Sequence, residues 1–286
     1  MTSGETLPMP SLDARLLGAH RVPVLTDDAL FDACGVRIVF TGREGGVSDG
    51  PYASMNLGMH VKDNPASVKE NRARLLDALG AGSSALIVPN QVHGTNTVTI
   101  DAADAASLET FQATADEGAD ALVVAVRGVA ALLNFADCTP VIVASPTGRF
   151  AIAHAGWRGA VAGIAGKAVA QLAQADAAAT NTRPAVWTAR YNVYIGPHIR
   201  QECFETGEDV ADEFARRFGQ IVVPTYRHVS MANAVSVDVM RAGVSANRIL
   251  DAGICTKCNP DEYFSYRASG GVCGRHGAAA YAKEGF

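Results

Sequence analysis

The sequence lacks most of the features that mark specialised classes of protein. No apolar run approaches the length of a transmembrane helix, and the N-terminus, MTSGETLPMPSLDARL, has neither a basic region nor an apolar stretch of the secretory kind. The expected location is the cytoplasm. Charge is sparse and close to balanced: 19% of residues are charged and the net charge is -5, so no broad attraction to nucleic acid or to an anionic membrane is expected. Regular cysteine spacing is also missing. Six cysteines scattered over 286 residues argue against a secreted disulfide framework and point to thiols or metal ligands. The seven histidines include no His-x-His pair, which leaves too few imidazoles for a four-copper oxidase.

What is present is an ordinary globular composition, with 48% hydrophobic residues. A chain of this length can bury a substantial core without disulfides. The expected organisation is an N-terminal arm over residues 1–30, either loosely held or an edge strand, followed by one catalytic domain over residues 31–286.

The most informative stretch is residues 134–159, NFADCTPVIVASPTGRFAIAHAGWRG. Two apolar runs are joined by turn residues at 146–148, so Cys138 and His154 sit at the same end of an expected hairpin. After His154 a Gly-rich turn leads into a helical period over about 160–175. The amides of a helix start, with Arg158 beside them, would favour an anionic group such as phosphate.

Upstream, a β-rich run at 36–40 enters a loop with five glycines between positions 42 and 58. Arg43, Ser48 and Asn56 are its most useful polar side chains for a phosphate or ribose oxygen. Asn64-Pro65 predicts a helix start and Gly80 its end. Strands are expected at 85–88 and 97–100, with His93 at the break between them. Residues 101–116 are read as a surface connection or short helix. Asp120 and Asp137 each stand at the edge of an apolar run, where a carboxylate can orient a histidine, cap a turn or bind a hydroxyl; for Asp120 the cap is the expected role. Further on, 193–195 predicts a strand, 207–218 a helix, 237–246 another helix and 249–254 a strand. His198 and His228 have no clustered ligands near them and are read as structural or surface residues.

Two constellations follow. His93, Cys138 and His154 each lie where a β-segment ends, and two imidazoles with a thiolate suit zinc with an open fourth position. The same residues could instead be a Cys138–His154 nucleophilic pair, or core residues. The second constellation is Cys255-x2-Cys258 with Cys273-x2-His276, the spacing of a Cys3His structural zinc site. Against it, FSYR between the two pairs looks like a strand.

Taken in order, GREGGVSDGPYASMNLG, NQVHGTNTV, EGADALVV, NFADCTPVIVASP, AIAHAGWRG, YIGPHI and GICT with FSYR resemble the YfiH/laccase-domain family, from about Thr41 to Arg275. The resemblance implies an α/β (α+β) four-layer α/β/β/α sandwich, shared with cytotoxic necrotizing factor catalytic domains. It also implies a metal site on His93, Cys138 and His154, with zinc expected and copper disfavoured. The family has been described as polyphenol oxidase, as peptidoglycan editing factor, and as a multifunctional enzyme that deaminates adenosine and phosphorolyses adenosine, inosine or methylthioadenosine. The chemistry favours the purine reading, with nucleosides and phosphate as partners and no nucleic acid or membrane. Arg43, Ser48 and Arg158 are then expected at phosphate, and Asn56, Asp137 and Arg267 at nearby substrate. No His-x-Glu follows a ligand histidine, so the proton shuttle of deamination falls to Asp137 or Cys138. The chain departs from the family pattern at Cys273, where Thr is common, and at Ala268, where a second Arg is common. A thiol hydrolase, a cell-wall precursor editor and a non-catalytic partner of division proteins are the competing readings.

Overall fold

The computed structural model describes residues 6–286, which form two mixed six-stranded sheets. The strands are β1 (Asp13–Leu17), β2 (Val22–Thr26), β3 (Val36–Thr41), β4 (Ala85–Ile87), β5 (Thr97–Ile100), β6 (Ala121–Val124), β7 (Val129–Phe135), β8 (Thr139–Ala144), β9 (Phe150–Ala155), β10 (Asn192–Ile195), β11 (Ile249–Asp251) and β12 (His276–Ala282). One sheet runs β1-β2-β3-β12-β7-β4 and the other β11-β10-β8-β9-β6-β5. The helices are α1 (Asp28–Cys34), α2 (Pro65–Leu79), α3 (Ala105–Asp116), α4 (Trp157–Val161), α5 (Ile164–Thr180), α6 (Ala185–Thr188), α7 (Glu208–Phe218) and α8 (Met231–Arg241).

Strand periodicity sets the layers. Side chains alternate across a strand, so a strand buried on both faces must be apolar at every position. In β7, Val129, Ala131, Leu133 and Phe135 join the core between the sheets, while Ala130 and Leu132 face a second core with Leu75 and Leu79 of α2. In β9, Phe150 and Ile152 face the first sheet, whereas Ala151 and Ala153 face Ile164, Val169 and Leu172 of α5. Helices α4, α7 and α8 extend that outer layer. Helix, sheet, sheet and helix are thus stacked by composition, each buried Val or Leu adding about 1.5–3 kcal/mol.

Local signals account for most element ends. Asn64 caps α2 by accepting the Ala66 N–H, Pro65 occupies its first turn, and Gly80 leaves it in the left-handed region at φ 70°. The helix expected over 160–175 is divided: α4 stops at Val161, and Gly163 at φ 83° turns the chain into α5. The helix expected over 237–246 runs earlier, because Ser230 caps it by accepting the Asn233 N–H and Gly243, at φ 102°, follows its end. FSYR is no strand; residues 266–271 are turns. The 134–159 stretch also differs in one respect: β8 and β9 form the hairpin, but β7 lies in the other sheet, so residues 136–138 carry the chain from one sheet to its partner. That crossing places Cys138 at the ends of both sheets.

Candidate metal centre and catalytic cavity

Two loops and a strand bring the chemistry together. His93 lies between β4 and β5 with φ 60°, Cys138 follows Asp137 at φ 85° on the crossing between sheets, and His154 occupies β9. Left-handed backbone at non-glycine residues is uncommon and persists only where the surroundings impose it. At residues 92–94 the imposing group is Asp120. Its carboxylate accepts the backbone N–H of Val92 at 3.3 Å, of His93 at 3.0 Å and of Gly94 at 2.6 Å. It also accepts from His154 Nδ1 at 2.8 Å, which leaves Nε2 of that ring as the free nitrogen.

One nitrogen from each histidine and the Cys138 sulfur all lie within 4.8 Å of one another. Cys138 Sγ is 3.9 Å from His93 Nε2, and the two imidazole rings meet edge to face with centroids 4.8 Å apart. Burial alone would raise the Cys138 thiol, but the His154 imidazole and then His93 outweigh it and hold the thiol at about 6. Burial likewise opposes charge on His154; Cys138 and then Asp120 overcome it and lift the ring to about 9. A thiolate thus exists near neutrality, the form in which cysteine ligates metal. No side chain separates the three groups from Gly156, where an added Cβ would stand 2.8 Å from His93 Cδ2 and 3.6 Å from Cys138 Sγ. Two nitrogens, one thiolate, a carboxylate behind one ring and an unfilled flank fit a tetrahedral metal with an open position.

The trio opens on a cavity of about 860 Å³. Of the polar residues expected to meet substrate, Arg267 and Asp137 line it. Asp137 is a joint between loops: Oδ1 accepts Thr256 Oγ1 at 2.6 Å and Oδ2 the Arg267 N–H at 2.7 Å. Arg43, Ser48, Asn56 and Arg158 are not among the lining residues. Their polar atoms are held elsewhere. The Arg43 guanidinium donates to the carbonyls of Ala53 and Pro260, and Ser48 and Asn56 both donate to Asp63. Arg158 stacks over the Trp157 ring at 4.2 Å. The Gly-rich loop is thus tied to Asp63, to Pro260 and, through Val47 N–H, to Asn71 of α2, and Arg158 lies outside this cavity.

The basic side chains that do line the cavity are His60, Arg72, Arg267 and Arg275. Three of them escaped the sequence reading, because His60, Arg72 and Arg275 come from segments that only the fold brings together. Arg72 and Arg275 are half-buried and donate to backbone carbonyls, Arg72 to Leu57 and Arg275 to Cys273 and Gly274. None of the three arginines has a carboxylate partner among the described residues. Asp120 caps the turn as expected and also orients His154, a role the sequence offered without naming that partner. The Cys255, Cys258, Cys273, His276 quartet does not assemble. Cys273 lies against Arg275, and His276 is buried against the Tyr263 ring, while Cys255 and Cys258 meet Cys203.

A four-layer α/β/β/α scaffold with a His-Cys-His group able to hold a metal at the ends of its sheets defines an enzyme of the laccase-domain class. The chain belongs to the family described as multi-copper polyphenol oxidoreductase laccase, whose model matches residues 37–283. It is 37% identical over 241 residues to a purine nucleoside phosphorylase of Deinococcus radiodurans, covering 82% of this chain and 85% of the relative. Over 240 residues it is 32% identical to adenosine deaminase RL5 of an unknown prokaryotic organism, covering 81% and 88%. The structure of YlmD from Geobacillus stearothermophilus superposes with a TM-score of 0.76 at 26% identity, covering 94% of this chain and 100% of that one. No helix among the described residues is long and apolar enough to cross a membrane.

Proposed function

We propose that this chain is a zinc-dependent purine nucleoside enzyme that phosphorolyses adenosine, inosine or methylthioadenosine and deaminates adenosine. The observation that carries the reading is that one cavity is walled both by the His93, Cys138, His154 group and by three arginines without carboxylate partners. Zinc suits two imidazoles and one thiolate, and when bound it supplies Lewis acidity and a water acidified to a pKa of about 7. A multicopper cluster needs imidazoles that this fold does not gather: among the described residues, only one candidate metal group contains histidine. The phosphorylase and deaminase names of the relatives agree with this substrate class.

In this reading Arg72, Arg267 and Arg275 hold the phosphate dianion, whose oxygen attacks the ribose C1′ as the purine leaves. Tyr266 and Phe204 offer ring faces for the base. Asn134 lines the same cavity, and its Oδ1 is buried without a hydrogen-bond partner, so it accepts from a purine amine or a ribose hydroxyl. Asp120 fixes the tautomer of His154. His60 is kept below its ordinary value by burial and then by Arg275 and Arg72, so it is neutral at pH 7 and can take the proton released in deamination. Asp137 holds the turn that presents Cys138. Six free cysteines suit a reducing compartment, the cytoplasm.

The test is chromatography of products from adenosine with and without phosphate. Phosphate-dependent adenine and phosphate-independent inosine, both lost in Cys138→Ser, are expected. Turnover that survives both chelation and Cys138→Ser would sink the proposal.

A further inference from the structure

Outside the cavity, a second group of metal-ligating side chains forms where the sequence offered only half of one. Cys255 and Cys258 belong to a C-x2-C turn, and their sulfurs meet that of Cys203, all within 4.8 Å of one another. Cys203 and Cys258 Sγ are 3.3 Å apart. Cys255 is buried, Cys203 half-buried and Cys258 exposed, so the group opens to solvent on the Cys258 side.

The two loops that carry these thiols are rigidly built. In the first, the N–H groups of Cys203 and Phe204 both close on the Arg200 carbonyl. In the second, Asn259 donates to the Cys255 carbonyl through both its backbone N–H and its Nδ2. His198 ties them, bonding to Ile254 and Thr256 across a bridge to Cys255.

We propose that Cys203, Cys255 and Cys258 form a second site, structural in role, for a thiophilic d10 cation, Zn2+ or Cu+. Both ions prefer thiolate sulfur, Cu+ in three-coordinate and Zn2+ in four-coordinate geometry with solvent in the last position. Zinc bonds of about 2.3 Å put tetrahedral sulfurs roughly 3.8 Å apart, a spacing these thiols reach with small side-chain movements. Each ligating thiol gives its proton to solvent, so uptake weakens as the pH falls. Occupancy would join two loops that build one wall of the cavity. Phe204 lines that cavity, the Glu205 carbonyl faces the Arg267 guanidinium at 3.5 Å, and Thr256 donates to Asp137.

The experiment uses full-length Cys138→Ser protein, in which the His-Cys-His group is disabled, so its outcome is independent of the nucleoside reading. Reduced, metal-free protein is titrated with Zn2+ and, separately and anaerobically, with Cu+, against a chromophoric chelator. About one equivalent of either ion retained per chain, with a raised Tm, is expected. Co2+ in place of Zn2+ should give thiolate-to-metal charge-transfer absorption. Adding Cys258→Ser, an exposed position chosen so that the fold survives, should weaken retention at least 10-fold and diminish that band. Adding Cys203→Ser should do the same, and Cys273→Ser should change neither. The ion held more tightly identifies the cation. No retention of either ion, retention unchanged by Cys258→Ser and Cys203→Ser, or a Cys203–Cys258 disulfide in place of bound metal would overturn the assignment.

Discussion

Asp120 and His154 are joined twice: the His154 backbone N–H donates to the Asp120 carbonyl at 2.7 Å, and its Nδ1 donates to the Asp120 carboxylate at 2.8 Å. The same carboxylate organises the turn that carries His93, so one side chain sets the positions of two of the three candidate ligands. Asp120→Asn replaces one acceptor oxygen by a donor. Partners of metal-ligating histidines are worth about 10- to 100-fold in metal affinity. We expect a loss in that range on competition with a chelator, with the helical and sheet signal of the circular dichroism spectrum unchanged.

The metal-free protein should carry an unusually acidic thiol. Cys138 is lowered from 9.0 to about 6, so its contribution to stability is present above 9.0 and lost as the pH falls through about 6. His154 is raised from 6.5 to about 9, so its contribution is present below 6.5 and lost as the pH rises through about 9. The imidazolium–thiolate pair therefore exists between these limits. In chelator-treated protein, iodoacetamide labelling of Cys138 should rise through pH 6, two or more units below an ordinary thiol, and bound metal should suppress it. A labelling midpoint near 9 would exclude the ion pair.

Arg275 offers a way to separate the two proposed reactions. A hydrogen bond to a charged group is worth about 1.5–3 kcal/mol, so Arg275→Ala should raise the KM for phosphate roughly 10- to 100-fold. Deamination uses no phosphate and should lose far less. Initial rates for inosine with phosphate and for adenosine without it give the comparison; equal losses would count against an anion subsite here.

Gly156 leaves one flank of the site free of any side chain. A Cβ there would lie 2.8 Å from His93 Cδ2 and 3.5 Å from His154 Cε1, with the residue itself buried. Overpacking of this kind costs about 1–3 kcal/mol, and the imidazole of His93, on an exposed loop, is the group that can yield. Gly156→Ala is expected to reduce metal content measured by atomic emission while shifting Tm by only a few degrees.

The β8–β9 hairpin is pinned at its far end by Asp176 of α5, which accepts from Ser145 and Thr147 in the turn and from Tyr191, at 2.6–2.7 Å, and pairs with Arg149. Asp176→Ala strands these donors in a buried place. Destabilisation of about 3–5 kcal/mol is expected in a urea titration, with activity retained at low temperature because the network lies at the opposite end of β9 from His154.

The strands and layers were readable because their cause is local. Every residue of β7, β8 and β9 is buried, and alternate side chains must then find separate apolar partners; Asn64-Pro65 and Gly80 bracket α2 by capping and backbone sterics alone. His93, Cys138 and His154 were readable as strand-end residues, and Cys255-x2-Cys258 as paired thiols, since spacing within one turn is a property of the chain. The partners of those groups were decided elsewhere. Cys203 reaches Cys255 because β10 and β11 lie parallel, and Arg72 reaches Arg275 because α2 packs across the sheet containing β12. Arg43, Ser48 and Asn56 had the right chemistry for phosphate, but Ser48 and Asn56 are hydrogen-bonded to Asp63, and Arg43 to the carbonyls of Ala53 and the distant Pro260. Periodicity and capping act over a few residues and are written in order along the chain. Which donors remain free at a cavity depends on contacts between distant segments, and only the assembled sheets decide those.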